Sequence, residues 1–183
     1  SHKCAVIAMQ QIAHGAVGVC CQKVGEAEAM VHGGVPDVFI SNQIVARSKV
    51  ERLAALARQA RVSVAVDNAE NLPLLDEVAQ SYGVTLNVLV EVKVMPIRTG
   101  VAPGEKVAAM AQQVEACKGL HFAGLHAYQG AAQHLPTFEE RRVAIARAVE
   151  QVALSKKLVE QSGLPCPLVT GAGTGTYRFE ATS

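Results

Sequence analysis

The stretch VSVAVDNAENLPLLDEVAQSYGVTLNVLVEVKV, residues 62–94, decides the fold class. It opens on a β-branched apolar run (62–67), passes through a segment rich in Leu, Ala and Glu (70–82), and returns to a second apolar run (86–94). A strand with water on one face alternates apolar with polar residues. These two runs are apolar along nearly their whole length, as strands covered on both faces are. Two such strands with a helical segment between them read as the crossover unit of a parallel sheet.

The same unit recurs on either side. AVGVCC (16–21), DVFIS (37–41), HFAGLHAY (121–128) and PLVTG (167–171) read as four more strands, six in all, with helices expected near 4–13, 23–33, 46–60, 104–117 and 138–162. Every crossover therefore holds a helix, which predicts an α/β fold. Several strands run out into polar or unusual residues: Cys20 and Cys21, Asn42 and Gln43, Asp67 and Asn68, Arg98, Tyr128 and Gln129, and finally the loop GAGTGTY (171–177). In a (β/α)8 barrel the carboxyl ends of all the strands converge on one mouth, whereas an open doubly wound sheet holds its ligand at one switch point. Polar groups at successive strand ends favour the TIM-type barrel, here about six of its eight βα units, with the open sheet as the alternative.

Composition narrows the function. The 183 residues suffice for one core and one domain, residues 1–183. Half of them are apolar, 18% are charged and the net charge is +1, which argues against disorder and against an electrostatic grip on nucleic acid. A small-molecule partner is expected. Neither an apolar run of the roughly 18 residues that a membrane span needs nor the pattern of a signal peptide is present, so no membrane partner and a cytoplasmic location are expected. Five cysteines without a C-x-x-C pair fit a reducing compartment.

The glycine loop offers two readings. Following Thr170, Gly171, Gly173 and Gly175 could turn backbone N–H groups inward as an anion nest, with hydroxyls from Thr174 and Thr176, a cradle suited to phosphate. The alternative is a tight turn that needs positive φ. A dinucleotide fingerprint does not fit, because no helix, second strand and acidic residue follow about 20 positions on.

Five segments carry a resemblance to a known family: AVGVCCQKVGEAEAM (16–30), ISNQ (40–43), AYQGAAQH (127–134), FEERR (138–142) and TGAGTGTYRFEATS (170–183). Together they resemble the D-threonine aldolase and D-3-hydroxyaspartate aldolase family, pyridoxal-phosphate enzymes with an alanine-racemase-like barrel of fold type III. The resemblance spans essentially the whole chain. It implies a Schiff-base lysine immediately before Ser1, with Lys3 matching a second lysine of the motif. It also implies a C-terminal β-domain, outside this chain, that binds a divalent cation (Mg, Mn or Co), so no metal ligand is expected here. On the same basis a homodimer is expected.

The implied reaction is a lyase reaction: cleavage of the Cα–Cβ bond of a D-β-hydroxy amino acid, with the cofactor ring as electron sink. Glycine and an aldehyde result, glyoxylate from D-3-hydroxyaspartate or acetaldehyde from D-threonine; the CCQKVGEAEA and AYQGAAQH blocks put hydroxyaspartate slightly ahead. Two other readings stand beside it: a dehydratase of D-serine or D-3-hydroxyaspartate, and a non-catalytic pyridoxal-phosphate-binding protein.

The resemblance also assigns residues. Residues 171–176, with Thr170, would hold the phosphate, although Ala172 stands where another glycine is usual. Arg98 would donate to the cofactor's phenolic oxygen; its alternative is an ordinary surface arginine. Around it the family pattern is broken, with Lys93 in place of an acidic residue and Met95-Pro96-Ile97 in place of a glycine-containing turn. Tyr128 would reach the cofactor with its hydroxyl, or else be a core tyrosine. Gln43 would bond cofactor or substrate, or stabilise a turn. Gln129 and His134 are candidates for the mouth with no assigned step.

Other residues read as structural. His14, His32 and His121 stand singly, without metal-ligand spacing. Adjacent strand residues face opposite ways, so Cys20 and Cys21 are read as packing. The segment 138–160 reads as an amphipathic helix that turns Val143, Ala144, Ala148 and Val152 inward. Residues 1–183 alone, without the lysine and the metal domain, are expected to show no turnover, and two unpaired sheet edges would favour aggregation.

Overall fold

A computed structural model describes residues 2–181. Its strands are β1 (Val19–Cys21), β2 (Asp37–Ile40), β3 (Arg61–Val66), β4 (Leu86–Glu91), β5 (Leu120–His126) and β6 (Val169–Thr170). The helices are α1 (Ala5–Ala13), α2 (Val24–His32), α3 (Arg47–Leu56), α4 (Leu72–Tyr82), α5 (Glu105–Glu115), α6 (Phe138–Gln161) and the single turn α7 (Tyr177–Glu180). The six strands form one sheet in the order β1-β2-β3-β4-β5-β6, with parallel pairs such as Val38↔Val62 and His126↔Thr170. Chain order equals sheet order, the sequence of neighbours that a (β/α)8 barrel has and that a doubly wound sheet breaks at its switch point.

The strands are buried as their composition predicts. From Val62 to Val66 every residue is buried, and in β4 Leu86, Val88, Leu89 and Val90 are all within 1% of complete burial. Such continuous burial follows from cover on both faces. β4 is shorter than the expected run to residue 94. Beyond Glu91, Val92 N–H donates to the His126 carbonyl of β5 at 2.7 Å, and Val92 bridges in parallel to Val101, because the chain loops out and returns so that Val101 N–H donates to the Glu91 carbonyl.

The contacts divide the chain into two compact units. The first holds residues up to Leu89 together with Val114–Phe122. Its core includes Val50, Leu53 and Leu56 of α3 and Leu72, Leu75 and Val78 of α4, the apolar stripe of each helix. Pro73 sits in the first turn of α4, where its missing N–H costs no intrahelical bond.

The second unit holds Val90–Gln113 and the residues from Ala123 onward. Helix α6 starts on a capping box in which Thr137 and Glu140 bond each other's backbone. Its buried stripe is Ile145, Ala148, Val152, Ser155 and Val159. Ala148 and Val152 are as expected. Val143 is not: it is 37% exposed, since two residues before Ile145 means about 200° round the helix from it. Ser155 is tolerated in the stripe because its hydroxyl accepts from Gly104 N–H at 2.9 Å and donates to the Gln151 carbonyl at 2.8 Å.

Candidate functional site

Three consecutive strand ends of the second unit carry the site. The first is the end of β4. Glu91 closes that strand with no exposed surface, and its carboxylate sits 2.7 Å from Arg98 Nε and accepts from the Thr99 hydroxyl at 3.0 Å. The Arg98 contact is an ion pair whose N–H is not aligned as a hydrogen bond. Burying a carboxylate this completely is costly unless it is paired, and Arg98 supplies the partner.

The Arg98 guanidinium lies over the Tyr128 ring, 5.1 Å from its centroid, and its Nη2 stands 3.4 Å from His126 Nε2. His126 is 4% exposed. Burial pushes its pKa down to about 4, Arg98 acting the same way, while Glu91 and a hydrogen bond with the Thr170 backbone oppose them. The ring is therefore neutral near pH 7, and the Arg98 charge has one carboxylate, one aromatic face and one neutral imidazole around it. Arg98 is accordingly no ordinary surface arginine.

The second and third ends are those of β5 and β6, joined by the bond from Ala127 N–H to the Thr170 carbonyl at 2.8 Å. The glycine loop leaves β6 at this point. None of Gly171, Gly173 and Gly175 has a positive φ, so a turn requiring left-handed backbone is not the reason for them. The reason is close approach. A Cβ on Gly171 would overlap the Ala127 carbonyl, and one on Gly173 would overlap the Gln133 amide.

Within the loop, Gly175 N–H donates to Gln133 Oε1 at 2.7 Å and Gln133 Nε2 donates to the Thr176 hydroxyl oxygen at 2.8 Å. Thr176 is buried and donates in turn to Glu180 at 2.7 Å. Gly173 N–H points to the same hydroxyl at 3.3 Å. Ala172 and Thr174 are exposed, and their amides meet no acceptor among the described residues. Phe179 of α7 packs edge-on against Phe138 of α6 with ring centroids 4.7 Å apart, which anchors the far side of the loop. Arg141 Nη1 lies 3.6 Å from where a Gly175 Cβ would be.

The remaining predicted residues fall as follows. Tyr128 is half-buried against Gly130, and its hydroxyl has no hydrogen bond among the described residues. Gln129 Nε2 donates to the Val94 carbonyl at 3.3 Å and so fastens the 91–101 loop to the end of β5. His134 is exposed in the 3₁₀ turn Gly130–His134. Gln43 belongs to the first unit, after β2, where its N–H donates to Asn42 Oδ1 at 3.1 Å. Lys3 pairs with Glu26 at 2.9 Å, also in the first unit.

Cys20 is exposed and Cys21 buried, its thiol pushed up to about 12 by burial first and then by Cys20 and Glu26, which keeps it protonated. Among the described residues no group of three or more His, Cys, Asp or Glu could hold a metal ion, and no helix is long and apolar enough to cross a membrane.

Sequence reasoning missed Glu91, His126, Gln133 and Arg141. A signal existed for the first, a charged residue inside the apolar run LNVLVEV. Gln133 and Arg141 lay within quoted blocks, AYQGAAQH and FEERR, but nothing in their spacing marked them.

Comparison with known proteins gives concordant matches. A family model described as the alanine racemase N-terminal domain matches residues 1–182. A D-threonine aldolase of an Arthrobacter species is 44% identical over 183 residues, covering 100% of this chain and 48% of that protein. A 3-hydroxy-D-aspartate aldolase of Paracoccus denitrificans is 41% identical over 176 residues, 96% of this chain and 46% of that protein. The crystal structure of D-threonine aldolase from Filomicrobium marinum superposes with a TM-score of 0.96 at 44% identity, covering 99% of this chain and 49% of that one. The chain thus spans about half the length of the curated relatives it matches.

Proposed function

The chain belongs to the alanine racemase N-terminal domain family, and from that premise we propose that it supplies the pyridoxal-phosphate site of an aldolase acting on D-β-hydroxy amino acids. The observation that carries this reading is the meeting of Arg98, Tyr128 and the glycine loop at three successive strand ends. The residues present suit the cofactor. A phosphate ester needs several N–H and O–H donors that have no other acceptor. The loop offers the Ala172 and Thr174 amides and the Thr174 hydroxyl, with the Arg141 guanidinium beside Gly175. When bound, the cofactor supplies a conjugated electron sink for the electrons of a breaking Cα–Cβ bond.

The chain's own residues do the rest. The loop 171–176, with Thr170 at its root, holds the phosphate. Arg98, ion-paired with Glu91 and held over the Tyr128 ring, presents its remaining N–H groups to an anionic oxygen of the cofactor. A neutral His126 adds no second positive charge beside it. Tyr128 has a hydroxyl free to donate. Gln43 is assigned to cofactor or substrate binding on the family resemblance alone. A homodimer and a divalent cation belong to the same reading, but the described residues do not fit a metal site, and no step is assigned to an ion.

Both D-threonine and D-3-hydroxyaspartate remain in the proposal, since relatives named for each stand at 44% and 41% identity. The test supplies the intact protein with each compound. Glycine with acetaldehyde or glyoxylate is the expected product. Oxaloacetate and ammonia from D-3-hydroxyaspartate would make it a dehydratase instead, and a bound cofactor whose absorbance no D-amino acid alters would make it a non-catalytic binder.

A further inference from the structure

The glycine loop is shaped by a side chain from another element. Gln133 is half-buried in the 3₁₀ turn Gly130–His134, between β5 and α6, and the turn is pinned from below by buried Ala132. Its amide is used at both ends within one loop: Oε1 accepts from Gly175 N–H and Nε2 donates to Thr176 Oγ1. The two bonds are 2.7 and 2.8 Å long and fix which way round the amide sits, since only the oxygen can accept from an N–H. Gly173 leaves room for this insertion, because a Cβ there would overlap the same amide.

The consequence concerns which donors face outward. Only donors that the loop has not already satisfied are open to an anion. Gly173 N–H turns towards the Thr176 hydroxyl and Gly175 N–H towards Gln133, so both are satisfied from within. The amides left over are those of Ala172 and Thr174, on exposed residues. Without Gln133, Gly175 N–H and Thr176 Oγ1 lose their shared partner, and a loop of small residues regains the backbone freedom that the amide removes.

We infer that Gln133 is the positioning residue of the phosphate site: it never touches the anion, but its amide bridges Gly175 and Thr176 and so orients the Ala172 and Thr174 donors. This rests on the reading of the loop as a phosphate site, and the test keeps the two apart. The intact protein is stripped of cofactor, and affinity is measured by absorbance for pyridoxal phosphate and for pyridoxal, which bears the same aldehyde and no phosphate. The wild type is expected to prefer the phosphorylated form strongly.

Gln133→Met, which keeps the length and loses both bonds, should weaken pyridoxal phosphate about tenfold or more and leave pyridoxal within about twofold, a two-bond loss read as affinity. Thr176→Val removes the bridge from its other end and should reproduce the effect, whereas Thr176→Ser should restore wild-type binding. If Gln133→Met fails to fold, the Thr176 pair is read in its place. A wild type without phosphate preference overturns the loop reading. A wild type with the preference, but variants that keep it or bind pyridoxal phosphate more tightly, overturns the role of Gln133.

Discussion

The loop after β4 and the loop after β6 present charge-binding groups by opposite means. After β4 the proposed cofactor-binding group is a side chain, Arg98, held by another side chain, the buried Glu91. After β6 the proposed groups are backbone amides, and residues 171, 173 and 175 contribute mainly by having no Cβ or, at Gly175, by giving an N–H to Gln133. The first arrangement stores its specificity in a desolvated ion pair and is exposed to changes of charge and pH. The second stores it in close approach and is exposed to changes of volume.

The sharpest way to break the comparison is at the ion pair. Glu91→Ala leaves the Arg98 charge facing a neutral histidine in a mostly buried site, and loss of one partner of such a pair costs about 3–5 kcal/mol. Urea unfolding of the intact protein should show that loss. A change below about 1 kcal/mol would mean that the pair is solvent-relaxed and contributes as an exposed one does.

A pH series tests the same region without a mutation. His126 has its folded pKa lowered to about 4 from an ordinary 6.5, so between these values the unfolded chain binds the proton and the folded one does not. Stability from this residue is complete above about pH 6.5 and is lost as pH falls towards 4, about 3 kcal/mol at most. His126→Asn should flatten the slope of unfolding free energy over that window. An unchanged slope would assign the pH dependence to other groups.

The smallest effects belong to the β6 loop. Gly171→Ala drives a methyl into the Ala127 carbonyl, which β5–β6 pairing holds in place, and a cost of about 1–3 kcal/mol is expected. Ala172→Ser, one residue on and exposed, should stay within about 0.5 kcal/mol. Thermal unfolding of the two variants side by side separates them, and equal shifts would remove close approach as the reason for the glycine.

Much of the fold could be read in advance, and the reason is local. The near-complete burial of β3 and β4 leaves its mark as predominantly apolar runs, and the stripes of α3 and α4 as 3.6-residue spacing. Strand ends were less legible: β1 covers 19–21, not 16–21, because pairing with β2 decides where the ladder stops. On α6 the apolar residues outnumber one stripe, so spacing alone chose Val143 where packing chose Ile145.

The site divides in the same way. Arg98, Tyr128 and the loop stood out because an arginine, a tyrosine and repeated glycines at strand ends are unusual residues in telling positions. The partners that set their properties did not stand out, since a glutamate at 91, a histidine at 126 and a glutamine at 133 acquire meaning only from neighbours 7 to 43 positions away.

By itself the sequence determined the order of strands and helices and the two-faced burial of the sheet, because both are written in periodicity within about 20 residues. Only the tertiary structure decided that Arg98 is caught between Glu91, His126 and Tyr128, and that Gln133 enters the glycine loop. Desolvation and close approach are properties of a three-dimensional neighbourhood, and no spacing along the chain records them.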